Sequence, residues 1–252
     1  MNSGERFRFH LSVLDQKPEF RTVVTDIQRH IWDVVEKWSA GYADLPTVEI
    51  GSGVIPLGDI AENVIATDIE VAHGLDCVAS AIDMPFLTGS VRAVVAQNVF
   101  HHIPDLDRAL QELSRVLVPG GVAVLVEPYF GKFASLIYPS LFASEGYDLK
   151  ADYRQVLLTP TGEAIPNQAV SFSYFQGGQR IEFDVAPDLS IVEHHPLRSG
   201  FRYLLSGALN FRRMAPRFVF PLVGRCEEHS RIGRVFDKLA IHWLIVLKKS
   251  GD

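Results

Sequence analysis

The stretch that constrains the fold most is an apolar, β-branched run that ends in a glycine-rich turn, Thr47-Val48-Glu49-Ile50-Gly51-Ser52-Gly53. The run is typical of a buried strand. The two glycines can take positive φ and allow a ligand to approach the backbone closely. Because a Gly-x-Gly turn after a strand is common, its meaning depends on the order of the elements that follow it.

Strands and helices alternate after this turn. Apolar runs predict further strands over 63–68, 76–79, 91–96 and 122–126. Leucines and valines at helical spacing predict a helix over 106–117 that stops at Pro119-Gly120-Gly121. Near-continuous apolar strands between helices indicate a parallel sheet that is buried on both faces. Ligands of such sheets bind at the carboxyl ends of the strands.

The flanking regions are less regular. The remaining predicted elements are helices over 18–39 and 133–142, a short helix after Pro56, and strands over 190–195 and 239–247. Prolines and glycines make 145–180 an irregular insertion, which we expect to be able to close over a site as a lid.

Five segments in this order resemble the motifs of class I S-adenosylmethionine-dependent methyltransferases. They are Val48–Gly53, Asp68, Met84-Pro85-Phe86, Asn98–Ile103 and Arg115–Gly121. The resemblance covers roughly residues 47–128. It implies an α/β fold with a Rossmann-like, seven-stranded, mostly parallel sheet, helices on both faces and an antiparallel last strand, here 239–247. It also implies that the cofactor is S-adenosylmethionine.

With 252 residues and 47% hydrophobic content, the chain can bury one full core, and we expect a single methyltransferase domain over 1–252. Its predicted parts are an N-terminal helical segment (1–46), a cofactor-binding core (47–128), the irregular insertion (129–188) and C-terminal strands (189–252).

The resemblance assigns the cofactor-binding residues. Glu49 would hold the methionine ammonium, the backbone of Gly51, Ser52 and Gly53 would pass beside the ligand, and Asp68 would bind the ribose hydroxyls. The other expected contacts are Ile69 and Met84 on the adenine, Ser80, Ala81 and Asp83 near it, and Gln97 and Asn98 in the donor pocket.

Two positions depart from the family pattern. Ile55 occupies the family's third glycine position. Ser80 stands where the family often has an acid that contacts the adenine amine, so Ser80 or Asp83 would have to substitute for it.

Two histidines follow the fourth predicted strand, beside the expected methyl group. A neutral imidazole of His101 or His102 could take a proton from a hydroxyl acceptor, although structural histidines are an equal alternative. Glu127 and Tyr129, at the end of the fifth strand, are the expected acceptor contacts. His194-His195 alone does not make a metal site, and we expect no metal.

Charge is distributed unevenly along the chain. The formal net charge is −6, which argues against nucleic-acid binding, but 198–238 carries nine Lys/Arg against three acids. Aromatic and aliphatic residues alternate with these arginines. The segment is either a solvated surface or a basic acceptor-side surface, where Arg212 and Arg213 would bind an anionic acceptor and apolar neighbours would touch a membrane.

Two cysteines, a polar N-terminus and the lack of a long apolar run lead us to expect a cytoplasmic protein with reduced thiols. It would be peripheral to a membrane if the segment 198–238 touches one. The expected function is O-methylation of a small-molecule or glycan-precursor acceptor that is anionic or lipid-linked. One alternative is a non-catalytic scaffold protein, because Ser80 replaces the acid that often contacts the adenine amine in this family. The other is a nicotinamide-dependent oxidoreductase, whose Gly-x-Gly-x-x-Gly pattern is broken here by Pro56. The sequence leaves the oligomeric state open.

Overall fold

The computed structural model describes residues 3–71, 74–141, 148–150, 167–176, 178, 183–209, 212–229 and 231–251. Its helices are α1 (Ser3–Gln16), α2 (Pro18–Ser39), α3 (Leu106–Val116), α4 (Lys132–Leu141), α5 (Val170–Phe175), α6 (Gly200–Ser206), α7 (Val219–Glu228) and α8 (Gly233–Lys238). Its strands are β1 (Thr47–Ile50), β2 (Val64–Asp68), β3 (Cys77–Val78), β4 (Val91–Gln97), β5 (Leu117–Pro128), β6 (Leu189–Pro196) and β7 (His242–Lys249).

The strands form one seven-stranded sheet in the order β3-β2-β1-β4-β5-β7-β6. The first five strands pair in parallel, whereas β7 is antiparallel to both β5 and β6. The predicted seven-stranded, mostly parallel sheet with an antiparallel last strand is therefore confirmed. The order reverses at β1 and β4, so their carboxyl ends form the switch point where such sheets bind ligands.

Both faces of the sheet are covered by helices. On β4, Val94 and Ala96 belong to one apolar cluster, and Ala93 and Val95 to another on the opposite face. The first cluster includes the inner leucines of α3, and the second includes the isoleucines and valines of α2. Alternate side chains thus point to opposite faces and both find apolar partners, which is why the strands are apolar throughout.

Local signals set the starts of two central helices. Pro18 begins α2, where its missing N–H has no intrahelical partner to lose. Asp105 caps α3 by accepting the Arg108 N–H at 2.9 Å. These local features determine where both helices begin.

The end of α3 differs from the prediction. The helix stops at Val116, and Leu117 already pairs with Val91 of β4. The segment Pro119-Gly120-Gly121 lies inside β5, where the pairing with β4 shifts. Pairing with β4 ends the helix before the proline and glycines are reached.

Other elements differ from the prediction in smaller ways. The sequence did not predict α1, α5, α6, α7 or α8, so the region 189–252 holds three helices besides its strands. A 3-10 turn (Leu57–Asp59) stands in place of the short helix expected after Pro56. The last strand begins at His242 rather than 239, because α8 occupies the chain up to Lys238. The expected lid over 145–180 lies largely outside the described residues. Cys77 and Cys226 are both free thiols. None of the helices in the described part is long and apolar enough to cross a membrane.

The close approach of β5 to β4 at Gly121 gives a test of the fold. A Cβ at position 121 would stand 2.9 Å from the carbonyl oxygens of Arg92 and Val118. We expect Gly121→Ala to lower the free energy of unfolding by about 1–3 kcal/mol, because the backbone must move apart. Gly58→Ala is the matched control, since a Cβ there meets nothing within 4 Å. Urea denaturation of both variants measures the difference, and equal stabilities would contradict the packing described.

Candidate active site

A cavity of about 500 Å³ opens at the carboxyl ends of β1 and β4. Its walls bring together the predicted residues Glu49, Gly51, Ser52, Gly53, Gln97, Asn98, His101 and His102. These residues come from two segments that the parallel pairing of β1 with β4 places side by side. The sheet topology therefore positions this part of the predicted site.

The turn after β1 requires glycine for two different reasons. Gly51 has φ +70°, and a Cβ there would stand 2.5 Å from Cγ2 of Val99. Gly53 has φ +56° but open space around it. Ser52 holds the turn against β2, since its backbone N–H and its hydroxyl both donate to the Thr67 carbonyl, at 3.0 and 3.2 Å. The turn thus forms a cradle without side chains at Gly53, which fits the close approach of a cofactor.

Glu49 is a buried acid in the cavity wall, only 6% exposed. Burial raises the pKa of its carboxyl group to about 7, although the hydrogen bond from the Leu57 N–H (2.9 Å) opposes that shift. A cation bound beside it would favour the charged form. The site is therefore suited to the ammonium group of a methionine tail.

The residues expected around the ribose and adenine lie at the same edge of the sheet, but the cavity lining within the described residues does not include them. Asp68, at the end of β2, is half-buried, and its Oδ1 accepts the Glu70 N–H at 3.1 Å. Ile69 is 70% exposed, so its side chain is accessible to a ligand.

The segment after β3 forms a tight turn. The Asp83 N–H donates to the Ser80 carbonyl at 3.1 Å, and the Asp83 side chain is exposed. Ala81 and Met84 are buried in the apolar cluster that α3 covers. The Met84 N–H donates to Glu112, and Arg115 binds both that carboxylate and the Met84 carbonyl. Met84 and Arg115 therefore have structural roles in addition to any ligand contact.

Glu127 does not occupy the position expected of an acceptor contact. It is fully buried, and its Oε1 accepts the N–H groups of Val99 and Phe100 at 2.9 and 2.8 Å. Its Oε2 accepts from Nδ1 of His101 at 2.8 Å and from the Ser171 hydroxyl at 2.9 Å. The expectation that Glu127 contacts the acceptor is corrected, because its oxygens are occupied by the protein.

The ionised carboxylate of Glu127 determines which ring nitrogen of His101 acts as the donor to it. Burial alone would raise the pKa of Glu127, but the adjacent His101 ring and the hydrogen bonds it receives hold that pKa below its ordinary value. A carboxylate only accepts hydrogen bonds, so Nδ1 of His101 carries a proton. In the neutral ring Nε2 is then a hydrogen-bond acceptor. His101 is thus an oriented imidazole in the cavity wall.

The comparisons with known proteins agree with this geometry. A family model described as a methyltransferase domain matches residues 49–125. The ubiquinone/menaquinone biosynthesis C-methyltransferase UbiE of Rickettsia felis is 24% identical over 206 residues, which cover 76% of this chain and 72% of that protein.

Residues 49–125 thus match a methyltransferase domain, and these findings support a class I S-adenosylmethionine-dependent methyltransferase. An uncharacterized methyltransferase of Mycobacterium sp. (strain KMS) is 47% identical over 47 residues, 19% of each chain. The solved geranyl diphosphate C-methyltransferase of Streptomyces coelicolor A3(2) shares the fold, with a TM-score of 0.50 and 13% identity over 89% of this chain and 78% of that one. These findings favour the methyltransferase over the oxidoreductase and the scaffold.

The N-terminal helices of this methyltransferase close the cavity, which the sequence did not predict. Phe20, Val24 and Gln28 of α2 line it. Gln28 is 2% exposed, and its amide donates to the Ile55 carbonyl at 2.6 Å. The amphipathic pattern revealed the helix, but nothing in it indicated that one end of the apolar side covers a site.

His242 is the second residue that sequence reasoning missed. It is 3% exposed and lines the methyltransferase cavity at the start of β7. Burial lowers the pKa of its imidazole to about 4, so the ring is neutral at physiological pH. Its position depends on the pairing of β7 with β5, and no local pattern signals that pairing.

Two of the three other predicted acceptor residues, Tyr129 and Arg213, contact other parts of the protein. Tyr129 packs against Phe172 and Trp243, with ring centroids 5.7 and 5.9 Å away. Arg213 pairs with Glu19 at 2.9 Å, and Arg212 is exposed. None of these three predicted residues belongs to the cavity lining, as far as the chain is described.

Replacing Glu49 should have opposite effects on the stability of the ligand-free protein and on ligand binding. Its folded pKa lies above the ordinary value of 4.5, so ionisation destabilises the ligand-free fold increasingly from about pH 4.5 to pH 7, and fully above pH 7. We expect Glu49→Gln to raise the free energy of unfolding by roughly 3 kcal/mol at pH 8 and by little at pH 4.5.

The same substitution should weaken S-adenosylhomocysteine binding about 10- to 100-fold, because it removes the charge that faces the ammonium. Urea denaturation without ligand and calorimetric titration measure the two effects. Loss of stability at pH 8, or unchanged affinity, would contradict this role of Glu49.

Proposed function

We propose that this methyltransferase transfers the methyl group of S-adenosylmethionine to a hydroxyl oxygen of a small, largely apolar acceptor, with His101 as the general base. The observation that carries this proposal is the hydrogen bond between Nδ1 of His101 and the buried Glu127. In the neutral form of the ring, this bond leaves Nε2 as the hydrogen-bond acceptor on a residue that lines the cavity. Proton removal by a positioned imidazole contributes typically 10²–10⁴-fold to such a reaction.

Residues around the β1 turn would hold the cofactor. Glu49 would bind its ammonium, the backbone of Gly51–Gly53 would lie along its tail, and Asp68 would accept hydrogen bonds from its ribose. When bound, the cofactor supplies a methyl group on a positively charged sulfur. Because the displacement is in line, much of the protein's work is to hold the acceptor oxygen in one position and to exclude water.

The cavity wall indicates the chemistry of the acceptor. Aromatic and aliphatic side chains form much of the wall, among them Phe20, Tyr138, Tyr203, Leu209 and Ile241. No lysine or arginine stands in the part of the wall that the described residues form. Apolar side chains beside polar groups that include no lysine or arginine favour an uncharged, ring-containing acceptor.

An anionic or lipid-linked acceptor, which is the expectation from the sequence, is the alternative to an apolar one. It would depend on Arg212, since Glu19 already pairs with Arg213. Its charged group would then remain at the outer edge while an apolar part enters the cavity. This alternative has less support, because Arg212 is outside the cavity lining of the described chain.

Carbon is the second candidate for the methylated atom. UbiE of Rickettsia felis and the Streptomyces coelicolor enzyme are both named C-methyltransferases. A hydroxylated ring that has lost its proton can accept a methyl group at oxygen or at carbon. Carbon NMR of the product made from ¹³C-methyl-labelled cofactor separates the two outcomes.

The variant His101→Gln tests the role of His101 as the general base. His102→Gln, which makes the same change at the next residue, is the control. The acceptors are a panel of neutral phenols and a panel of phosphorylated sugars, with radiolabelled S-adenosylmethionine. We expect transfer to phenols, a fall in kcat of about 10²–10⁴-fold in His101→Gln, and little change in His102→Gln. S-adenosylhomocysteine affinity should be retained in both variants, since neither removes a proposed tail contact.

Three results would contradict the proposal. Transfer only to phosphorylated sugars would favour the anionic acceptor. Full activity of His101→Gln would exclude this residue as the base. Intact S-adenosylmethionine affinity without methyl transfer to any acceptor would favour the non-catalytic scaffold protein.

We also propose that the segment around α7 and α8 contacts an anionic membrane. Its exposed apolar side chains are Met214, Phe218, Leu222, Ile232 and Val235, with exposed fractions between 44% and 71%. Exposed Arg225, Arg231, Arg234 and Lys238 alternate with them. Apolar side chains between cations suit the interface of an anionic bilayer, and the adjoining Ala208 and Leu209 line the cavity.

Vesicle co-sedimentation tests the membrane contact. We expect binding to vesicles that contain phosphatidylserine, weaker binding at high salt, and at least a 10-fold loss in the double variant Phe218→Glu, Leu222→Glu, because burying each side chain contributes about 1.5–3 kcal/mol. Leu87→Glu is the control, since Leu87 is 80% exposed outside this segment. Equal loss in the control, or equal binding to purely zwitterionic vesicles, would contradict the contact.

A further inference from the structure

His242 is a buried polar residue without a function in the reaction described so far. Its side chain is 3% exposed, and Nδ1 has no hydrogen-bond partner among the described residues. The ring also lines the cavity. Because Nδ1 is shielded and has no partner, a hydrogen bond from this ring to a ligand in the cavity has to come from Nε2.

The protein holds this ring in one place. His242 pairs with Pro128 at the end of β5, and its carbonyl accepts the Leu197 N–H at 2.8 Å. Tyr203 lies edge-on against the imidazole, with ring centroids 4.6 Å apart. Glu127 and His101 are near enough to influence its pKa. The ring is therefore fixed beside the proposed base.

The unpartnered nitrogen indicates which hydrogen bond the ring offers. A neutral imidazole carries one N–H and one lone pair. Buried N–H groups without partners are rarer in proteins than acceptors without partners, so the proton belongs on Nε2 rather than on the shielded Nδ1. Nε2 of His242 is then a donor. His101 has the opposite arrangement, because its Nδ1 donates to Glu127 and its Nε2 accepts.

We propose that His242 is a specificity-determining residue that donates a hydrogen bond to a second oxygen of the acceptor, while His101 receives the proton of the reacting hydroxyl. The acceptor class is thus a small apolar ring that carries one hydroxyl and one separate oxygen acceptor, such as a carbonyl. This inference rests on the proposed function and narrows its substrate class. A site built to hydrogen-bond a substrate oxygen rejects an analogue without it strongly, since the buried group is left unpaired.

The experiment compares matched probes in the S-adenosylhomocysteine complex. The probes are 2-, 3- and 4-hydroxyacetophenone, each beside the ethylphenol of the same substitution, which keeps the shape but lacks the carbonyl oxygen. We expect at least one hydroxyacetophenone to bind about 10-fold more tightly than its ethylphenol, by ligand-observed NMR or calorimetry. His242→Phe should abolish that ratio, and His242→Gln, which keeps an N–H near the Nε2 position, should retain part of it.

Controls separate recognition from folding. His229→Phe removes an exposed histidine outside the cavity and should leave the ratio unchanged. Unaltered S-adenosylhomocysteine affinity in His242→Phe shows that this variant is folded. If His242→Phe does not fold, two other measurements test the proposal. One is the affinity ratio in His242→Gln. The other is the ¹⁵N chemical shifts of the wild-type His242 ring, which should show an Nε2–H tautomer and change when the carbonyl probe binds.

The outcomes distinguish this inference from the proposed function. A ratio near one for every pair in the wild type, or the same ratio in His242→Phe, overturns the role of His242. Radiolabelled methyl transfer, measured separately on the same probes, tests the proposed function. Carbonyl selectivity that depends on His242 without transfer would leave the recognition standing and contradict only the O-methylation.

Discussion

The site depends on the carboxylate of Glu127. From the end of β5 it accepts backbone N–H groups of Val99 and Phe100, the ring of His101 and the hydroxyl of Ser171 in α5. Three parts of the chain are joined at one buried charge, which is stable there because every oxygen is hydrogen-bonded. The same interaction fixes Val99, whose side chain lies where a Cβ of residue 51 would stand. The geometry of the glycine turn is therefore coupled to the proposed base through one carboxylate.

Closure of the cavity comes from the N-terminal helices. Lys17, between α1 and α2, donates to the Ala208 carbonyl at 2.7 Å, and Leu14 and Phe20 pack with Ala208 in a small apolar cluster. The start of α2 is thereby fastened to the segment after α6. Because both segments line the cavity, this contact fixes its wall on the side that the sheet leaves open.

Two buried polar groups in the cavity wall oppose folding in the absence of ligands. Glu49 has a raised pKa, and His242 has a nitrogen without a partner in the described structure. Both residues also offer a contact to a matching ligand: Glu49 would bind an ammonium, and Nε2 of His242, rather than the unpartnered Nδ1, would donate to an oxygen. Such violations of polar satisfaction are expected where function outweighs stability.

The sequence by itself determined the sheet and half of the site. Apolar strands alternating with helices require a parallel sheet, and the position of Gly51 and Gly53 after the first strand requires the ligand turn at its carboxyl edge. These features are local, since strand and turn preferences act over a few residues. Glu49, Gln97, Asn98 and His101 could be placed together because parallel strands bring their ends to one edge.

Only the tertiary structure decided the rest. The sequence suggested Arg213 as an acceptor contact, but the fold pairs it with Glu19, 194 positions away. Glu127 accepts a hydrogen bond from His101 and is not placed to contact an acceptor. Gln28 of α2 and His242 of β7 line the cavity. Each depends on contacts between residues far apart in the chain. Such contacts leave no periodic signature, because they are set by how helices and strands pack and not by the preferences of neighbouring residues.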